Sequence, residues 1–201
     1  MSKKFELNKV FTTLGASNHA KEDREENDYY ATYPLAVEKL LEVENFSNLI
    51  FEPCAGEGHI SETLKNNGFT VITNDLVKRN YELDLNLDFL KLSSSFTNET
   101  NYDIITNPPY KYAQEFILKS LELISPNNKI AMFLKLTFLE GSKRYKELFS
   151  KFPPEKIYVF KSRVPCAKNG NFNKEGKGKA ICYCWYIWKK NYKEEPKIYW
   201  L

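Results

Sequence analysis

The chain has 201 residues, 42% hydrophobic and 27% charged, with 29 Lys and Arg against 26 Asp and Glu for a net charge of +3. That length suits one domain able to bury a core without staples. So small a net charge confines any nucleic-acid binding to a local patch, and no apolar run approaches the ~20 residues of a membrane-spanning helix.

In chain order, residues 1–27 are polar and mixed in charge and read as an irregular lead-in to a single domain over 28–201. The opening Met-Ser-Lys-Lys-Phe-Glu-Leu-Asn lacks a signal-peptide apolar core, so a cytoplasmic protein is expected. Pro34 to Leu41 predicts a helix with Leu35, Val37, Leu40 and Leu41 on a buried face. Leu49 to Pro53 predicts a first strand, Gly58 to Asn67 a helix closed by Gly68, and Thr70 to Asn74 a second strand ending at Asp75. A third strand is placed near the start of Tyr81 to Leu92, and residues 93–101 read as a polar loop. Tyr102 to Thr106 is the fourth strand, Ala113 to Ile124 its crossover helix, Lys129 to Leu136 the fifth strand and Ser142 to Ser150 a short helix. Ile157 to Lys161 and Ala180 to Trp188 make the last pair. Strands alternating with helices predict a mostly parallel α/β sheet with helices on both faces. The last strand follows its neighbour without a helix and is expected to run antiparallel.

Cys54, Cys166, Cys182 and Cys184 do not form a metal pattern, and neither His19 nor His59 has useful spacing, so no metal is expected and the thiols read as reduced and mostly core. Phe51-Glu52-Pro53-Cys54-Ala55-Gly56-Glu57-Gly58-His59-Ile60 runs a strand through Gly-x-Gly into a helix, which puts backbone N–H groups at the sheet's carboxyl edge. Asp75 ends the next strand about 20 residues on, where an acid takes ribose hydroxyls. Ser61 stands where a dinucleotide site needs its third glycine, and Glu52 and Glu57 are unfavourable beside a pyrophosphate. Two acids suit the sulfonium and ammonium of S-adenosylmethionine better.

Asn107-Pro108-Pro109-Tyr110 follows the fourth strand. Two prolines end the sheet ladder, since neither has an N–H to donate. What is left is an amide oxygen, a carbonyl and an exposed flat ring, a grip for a planar amine. The alternative is a plain strand-ending turn.

These residues carry a resemblance. Glu52-Pro-Cys-Ala-Gly-Glu-Gly58 followed by Asn107-Pro-Pro-Tyr110 resembles the class I methyltransferases that methylate the N6 amine of adenine in DNA. Asp-Tyr-Tyr-Ala-Thr-Tyr-Pro at 28–34 and Phe133-Leu-Lys-Leu-Thr-Phe-Leu-Glu-Gly141 are similar to small members carried by phages and prophages. The motif order resembles the gamma arrangement. The resemblance implies a Rossmann-like class I methyltransferase fold, seven-stranded with an antiparallel last strand. It implies a cytoplasmic location in a bacterial or phage-infected cell and S-adenosyl-L-methionine as cofactor. In one departure from larger members, the chain ends soon after its last strand, so no separate target-recognition domain is expected. Glu52, Pro53, Ala55, Gly56 and Gly58 would cradle the methionine part and Asp75 the ribose. Leu76, Asp88 and Phe89 would contact the cofactor adenine, and Tyr30 and Thr32 would close the pocket. Asn107, Pro108, Pro109 and Tyr110 would hold a flipped-out adenine, with the Asn107 oxygen and Pro108 carbonyl accepting from its amine.

Double-stranded DNA is the expected partner of a monomer, with room for an unidentified specificity or restriction partner. The 161–180 segment carries Lys161, Arg163, Lys168, Lys174, Lys177 and Lys179 around Phe172, with one Glu175, a pattern for phosphate contact and a stacking ring. Lys111, Lys135, Lys143 and Arg144 lie at or just after the strand ends and could add phosphate contacts. A cytosine-C5 mechanism needs a nucleophilic cysteine after proline. Cys54 sits in the glycine loop and Cys166 comes after the catalytic strand without the glutamate motif, so that class is rejected. An RNA adenine or protein glutamine substrate, or a non-catalytic binding module of this fold, stays open as an alternative.

Overall fold

A computed structural model describes residues 30–93, 101–164, 166–168 and 181–201. Among them are nine strands: β1 Tyr30–Thr32, β2 Leu49–Glu52, β3 Thr70–Thr73, β4 Asp103–Thr106, β5 Lys129–Lys135, β6 Lys156–Val159, β7 Cys166–Lys168, β8 Tyr183–Lys189 and β9 Lys197–Trp200. The principal helices are α1 Pro34–Leu41, α2 His59–Asn66 and α3 Ala113–Leu123. Seven strands form one sheet in the order β3-β2-β4-β5-β8-β6-β9, and β1 and β7 form a separate antiparallel ribbon.

Alternation along the strands builds the core in two layers. Phe51, Ile104, Ile130, Met132, Cys184, Tyr186 and Trp188 face α3, where Phe116, Ile117 and Leu121 meet them. Ile50, Ile105, Ala131, Phe133, Trp185 and Ile187 face α1 and α2, where Val37, Leu40, Ile60 and Leu64 meet them. Trp185 and Trp188 are both fully buried. On α1 the buried face is Ala36, Val37 and Leu40, and Leu35 is 43% exposed. The expectation that Leu35 is buried was wrong by one residue, because 36, 37 and 40 share a helical face and 35 lies about 100° away.

The expected antiparallel strand is β8, which runs against both β5 and β6. It is not the last: β9 follows and pairs parallel to β6, with all four residues exposed. The third strand expected near Tyr81 does not form. Only one bridge, Asn74 to Leu85, reaches the edge of β3, because side chains take the places of ladder partners. The Asp84 carboxylate accepts from the Thr73 N–H and hydroxyl, both at 2.8 Å. The fully buried Asn74 side chain accepts from Leu87 N at 2.9 Å and donates to Leu87 O and Pro53 O. The expected helix at 142–150 is one α-turn, Ser142–Arg144, continued as a π-turn over Tyr145–Phe149. Phe172, Lys174, Lys177 and Lys179, and the lead-in at 1–27, lie outside the described residues.

Candidate active site

The chain leaves β2 toward β3 on one side and returns through β4 on the other, so a crevice opens at the carboxyl ends of β2 and β4. A cavity of about 650 Å³ fills it, and its walls include Glu52, Asp75, Leu76, Asp88 and Asn107. Residues 75 sequence positions apart, Thr32 and Asn107, meet in its wall.

The glycine loop forms one side. Gly56 and Gly58 have φ of +58° and +80°, conformations open to glycine and strained for other residues. Gly58 also lies directly under the Tyr81 ring, so that a Cβ there would collide with it. Tyr81 is held in place by donating to Glu62 at 2.6 Å and accepting from Lys65 at 3.0 Å. Gly56 N donates to Asp75 Oδ2 at 2.9 Å, so the acid at the end of β3 fastens the loop as well as facing the cavity. Its Oδ1 accepts from Val77 N at 2.9 Å and lies 3.4 Å from Arg79.

Glu52, at the end of β2, is 1% exposed and accepts a hydrogen bond from the Ser61 hydroxyl. Burial pushes its carboxyl up to about 8 and the Asp75 charge adds to this, while the Ser61 bond pulls the other way. A buried acid held protonated in the wall of this crevice suits a cationic ligand, whose charge would repay its ionisation. Glu57 does not share this wall. It lines a shallow pocket on the far side of the loop with Glu38 and Glu62, 3.7 Å from His59. The charge argument therefore rests on one buried acid.

Leu76 is 64% exposed on the cavity rim, free to cover a planar group. Asp88 caps the short helix Phe89–Lys91 by accepting from Leu90 N, and pairs with Lys91 at 3.0 Å. Phe89 stacks on Phe116 at 5.0 Å. Pro53, Ala55, Tyr30, Thr32, Pro109 and Lys111 also line the cavity, whereas the expected site residues Gly56, Gly58, Pro108 and Tyr110 are not among its lining. Cys54, His59, Arg79, Tyr112 and Phe116 also line it and were not foreseen. Of these, Arg79 carried a signal, four residues after the predicted ribose acid.

Asn107 is fixed by the ribbon. Its Nδ2 donates to the Tyr30 carbonyl at 2.8 Å and to Thr32 Oγ1 at 3.0 Å, with Cys166 Sγ at 3.8 Å. The expectation of an exposed Tyr110 ring is corrected. The ring is half-buried, stacked on Tyr30 at 5.5 Å, with the Lys135 ammonium 4.9 Å from its centroid and its hydroxyl 3.6 Å from Cys166 Sγ. The long-range ribbon folds over it. Burial pushes the Cys166 thiol up to about 11 and holds the Cys54 thiol well above its ordinary value. Burial thus works against thiolate formation at both.

Among the predicted phosphate contacts, Lys111, Lys143 and Arg163 are exposed. Arg144 is committed elsewhere: it donates to Phe138 O at 2.7 Å and to Glu140 O and stacks on the Phe138 ring, bracketing the 136–139 turn. Lys168 belongs to β7.

No family model and no curated protein matches the sequence. Solved structures do match. An inferred hemolysin from Lactococcus lactis aligns at TM-score 0.56 and 12% identity, over 83% of this chain and 91% of that one. An inferred class I S-adenosylmethionine-dependent methyltransferase from Listeria monocytogenes aligns at TM-score 0.56 and 13% identity, over 98% and 72%. The modification subunit of an inferred type I restriction enzyme from Vibrio vulnificus aligns at TM-score 0.58 and 12% identity, over 98% of this chain and 51% of that one. Identities this low carry the fold and nothing finer. The chain has the Rossmann-like class I methyltransferase fold.

Proposed function

We propose that this protein transfers a methyl group from S-adenosylmethionine to the N6 amine of adenine in DNA. One observation carries the reading: the buried acid Glu52 and the amide Asn107, at the ends of adjacent parallel strands, line the same cavity. A site for a cation thus adjoins a site for an amine.

Bound there, S-adenosylmethionine supplies an electrophilic methyl group. The residues fit it: Glu52 would face its ammonium, the Gly56–Gly58 turn its methionine backbone, Asp75 its ribose, and Leu76, Asp88 and Phe89 its adenine. An exocyclic amine is a poor nucleophile because its lone pair is shared with the ring. The Asn107 oxygen and the Pro108 carbonyl would accept its two hydrogens, favouring a pyramidal nitrogen with the pair available. Alignment of donor and acceptor supplies much of the rate. Tyr110 would support the base once Lys135 exchanges its ring for a DNA phosphate. Lys111, Lys143, Arg163 and Lys168 would add contacts, and Phe172, Lys174, Lys177 and Lys179 are further candidates from the sequence.

The test is incubation with labelled methyl donor and duplex DNA, followed by digestion and detection of N6-methyladenine. Label in RNA or protein alone would reassign the substrate, and label nowhere, with cofactor still bound by calorimetry, would make this a binding module. Asn107→Ala is expected to lower transfer by at least about a thousandfold with cofactor affinity within about threefold.

A further inference from the structure

We infer that Thr32 is a positioning residue for this transfer: with the Tyr30 carbonyl, it dictates which end of the Asn107 amide faces the cavity. The inference rests on the reading of Asn107 as the acceptor for an exocyclic amine.

An asparagine amide has a donor end and an acceptor end of nearly the same shape, so sterics alone do not choose between two orientations related by a half-turn. For an amine substrate the choice decides everything. The oxygen end accepts from the amine, whereas the nitrogen end would set N–H against N–H. The ribbon removes the ambiguity. The Tyr30 carbonyl can only accept, so the atom 2.8 Å from it must be Nδ2. Thr32 Oγ1, 3.0 Å away, takes the second hydrogen. With both hydrogens used on the ribbon side, Oδ1 is the polar atom left for the cavity that Asn107 lines. Thr32 is 2% exposed, so water does not compete for this bond.

The ribbon is built for this task. It lies outside the main sheet, and its register sets Thr32 opposite Cys166. Thr32 from β1 and Cys166 from β7 therefore approach the same amide, and Tyr30 stacks on Tyr110 beside it. A flip of Asn107 would direct its oxygen at the Tyr30 carbonyl, acceptor against acceptor.

Thr32→Val keeps the shape and removes the acceptor; Thr32→Ser keeps the hydroxyl. In the adenine-N6 assay at saturating cofactor we expect Thr32→Val to lower kcat about tenfold to a hundredfold, with KM for DNA within about threefold. Thr32→Ser should recover most of the rate. Thermal melts identify any variant that fails to fold, and the serine variant then carries the comparison. A second measurement needs no substrate: the side-chain amide protons of Asn107, identified by their loss in Asn107→Ala, should exchange with solvent at least about tenfold faster in Thr32→Val than in the wild type or Thr32→Ser. Wild-type kcat and unchanged amide exchange in a folded Thr32→Val would overturn the inference, as would a serine variant no better than valine. A wild-type protein that methylates no adenine would remove the functional reading on its own, and amide exchange would still decide whether Thr32 holds Asn107.

Discussion

If Glu52 faces the ammonium of the cofactor as proposed, cofactor binding should depend on pH. Its carboxyl is raised from an ordinary value near 4.5 up to about 8, by burial first and by the Asp75 charge in addition. At about 1.4 kcal/mol per pH unit, ionising it in the protein costs roughly 5 kcal/mol more than ionising an ordinary exposed carboxyl. About nine-tenths of the molecules hold the proton at pH 7. A ligand ammonium that requires the carboxylate must expel it, so binding should release close to one proton, and Kd should rise about tenfold for each pH unit lost below 8. The range pH 6 to 7.5 is the informative one, because an α-amino group titrates itself at about 7.7 to 8. Calorimetry in two buffers of different ionisation enthalpy reads the proton release directly. Glu52→Gln keeps the neutral shape and cannot ionise, so its affinity should be weaker at pH 7.5 and flat with pH. Stability moves as well. Between about 4.5 and 8 the folded protein holds a proton that the unfolded chain has lost, so wild-type stability falls as pH rises through this window. The glutamine variant should lack that decline. A wild-type Kd that is flat from pH 6 to 7.5, with no proton released, would refute this role for Glu52.

Three further outcomes are expected. Gly58→Ala adds a Cβ at φ +80° against the Tyr81 ring and should cost about 2–4 kcal/mol in urea denaturation; a loss under about 0.5 kcal/mol would mean that the ring simply moves aside. Asn74→Ala strands the backbone of Leu87 and should cost about 2–4 kcal/mol, and, if Asp88 and Phe89 hold the cofactor as proposed, should also weaken its binding; unchanged melting would contradict this. Glu44 is nearly buried, and although burial alone raises its carboxyl, hydrogen bonds from Lys129, Lys156 and Tyr158 prevail and hold it below 4.5. Its stabilisation is present above pH 4.5 and lost as pH falls through the lower folded value, so Glu44→Gln should cost about 3 kcal/mol at neutral pH and less in acid.

The parts that were legible in the sequence are those where one strand or helix announces itself. Ile104-Ile105 and Ile130 to Leu134 read as buried strands because both faces of the sheet are covered, and the turns at Gly56–Gly58 and Pro108–Pro109 read from backbone chemistry. β1, β7 and β9 did not read. The first two are three residues each, and they exist only because they pair across more than 130 residues of chain. β9 is exposed throughout, so it shows no buried periodicity. The failed strand near Tyr81 went the other way, since apolar residues there are outcompeted by the side chains of Asp84 and Asn74 at the edge of β3.

The sequence by itself determined the alternation of strands and helices, the glycine turn, the acid that ends β3 and the Asn-Pro-Pro-Tyr stop after β4, because each depends on local backbone preference and periodicity. Only the tertiary structure decided which acid faces the cavity, that Tyr110 is covered, and which end of the Asn107 amide is left free. Those depend on burial and on partners distant in sequence: Glu52 is enclosed while Glu57, five residues on, lies outside, and Asn107 is oriented by residues 75 and 77 positions before it. A side chain's protonation and orientation follow from what surrounds it, and folding alone assembles those surroundings.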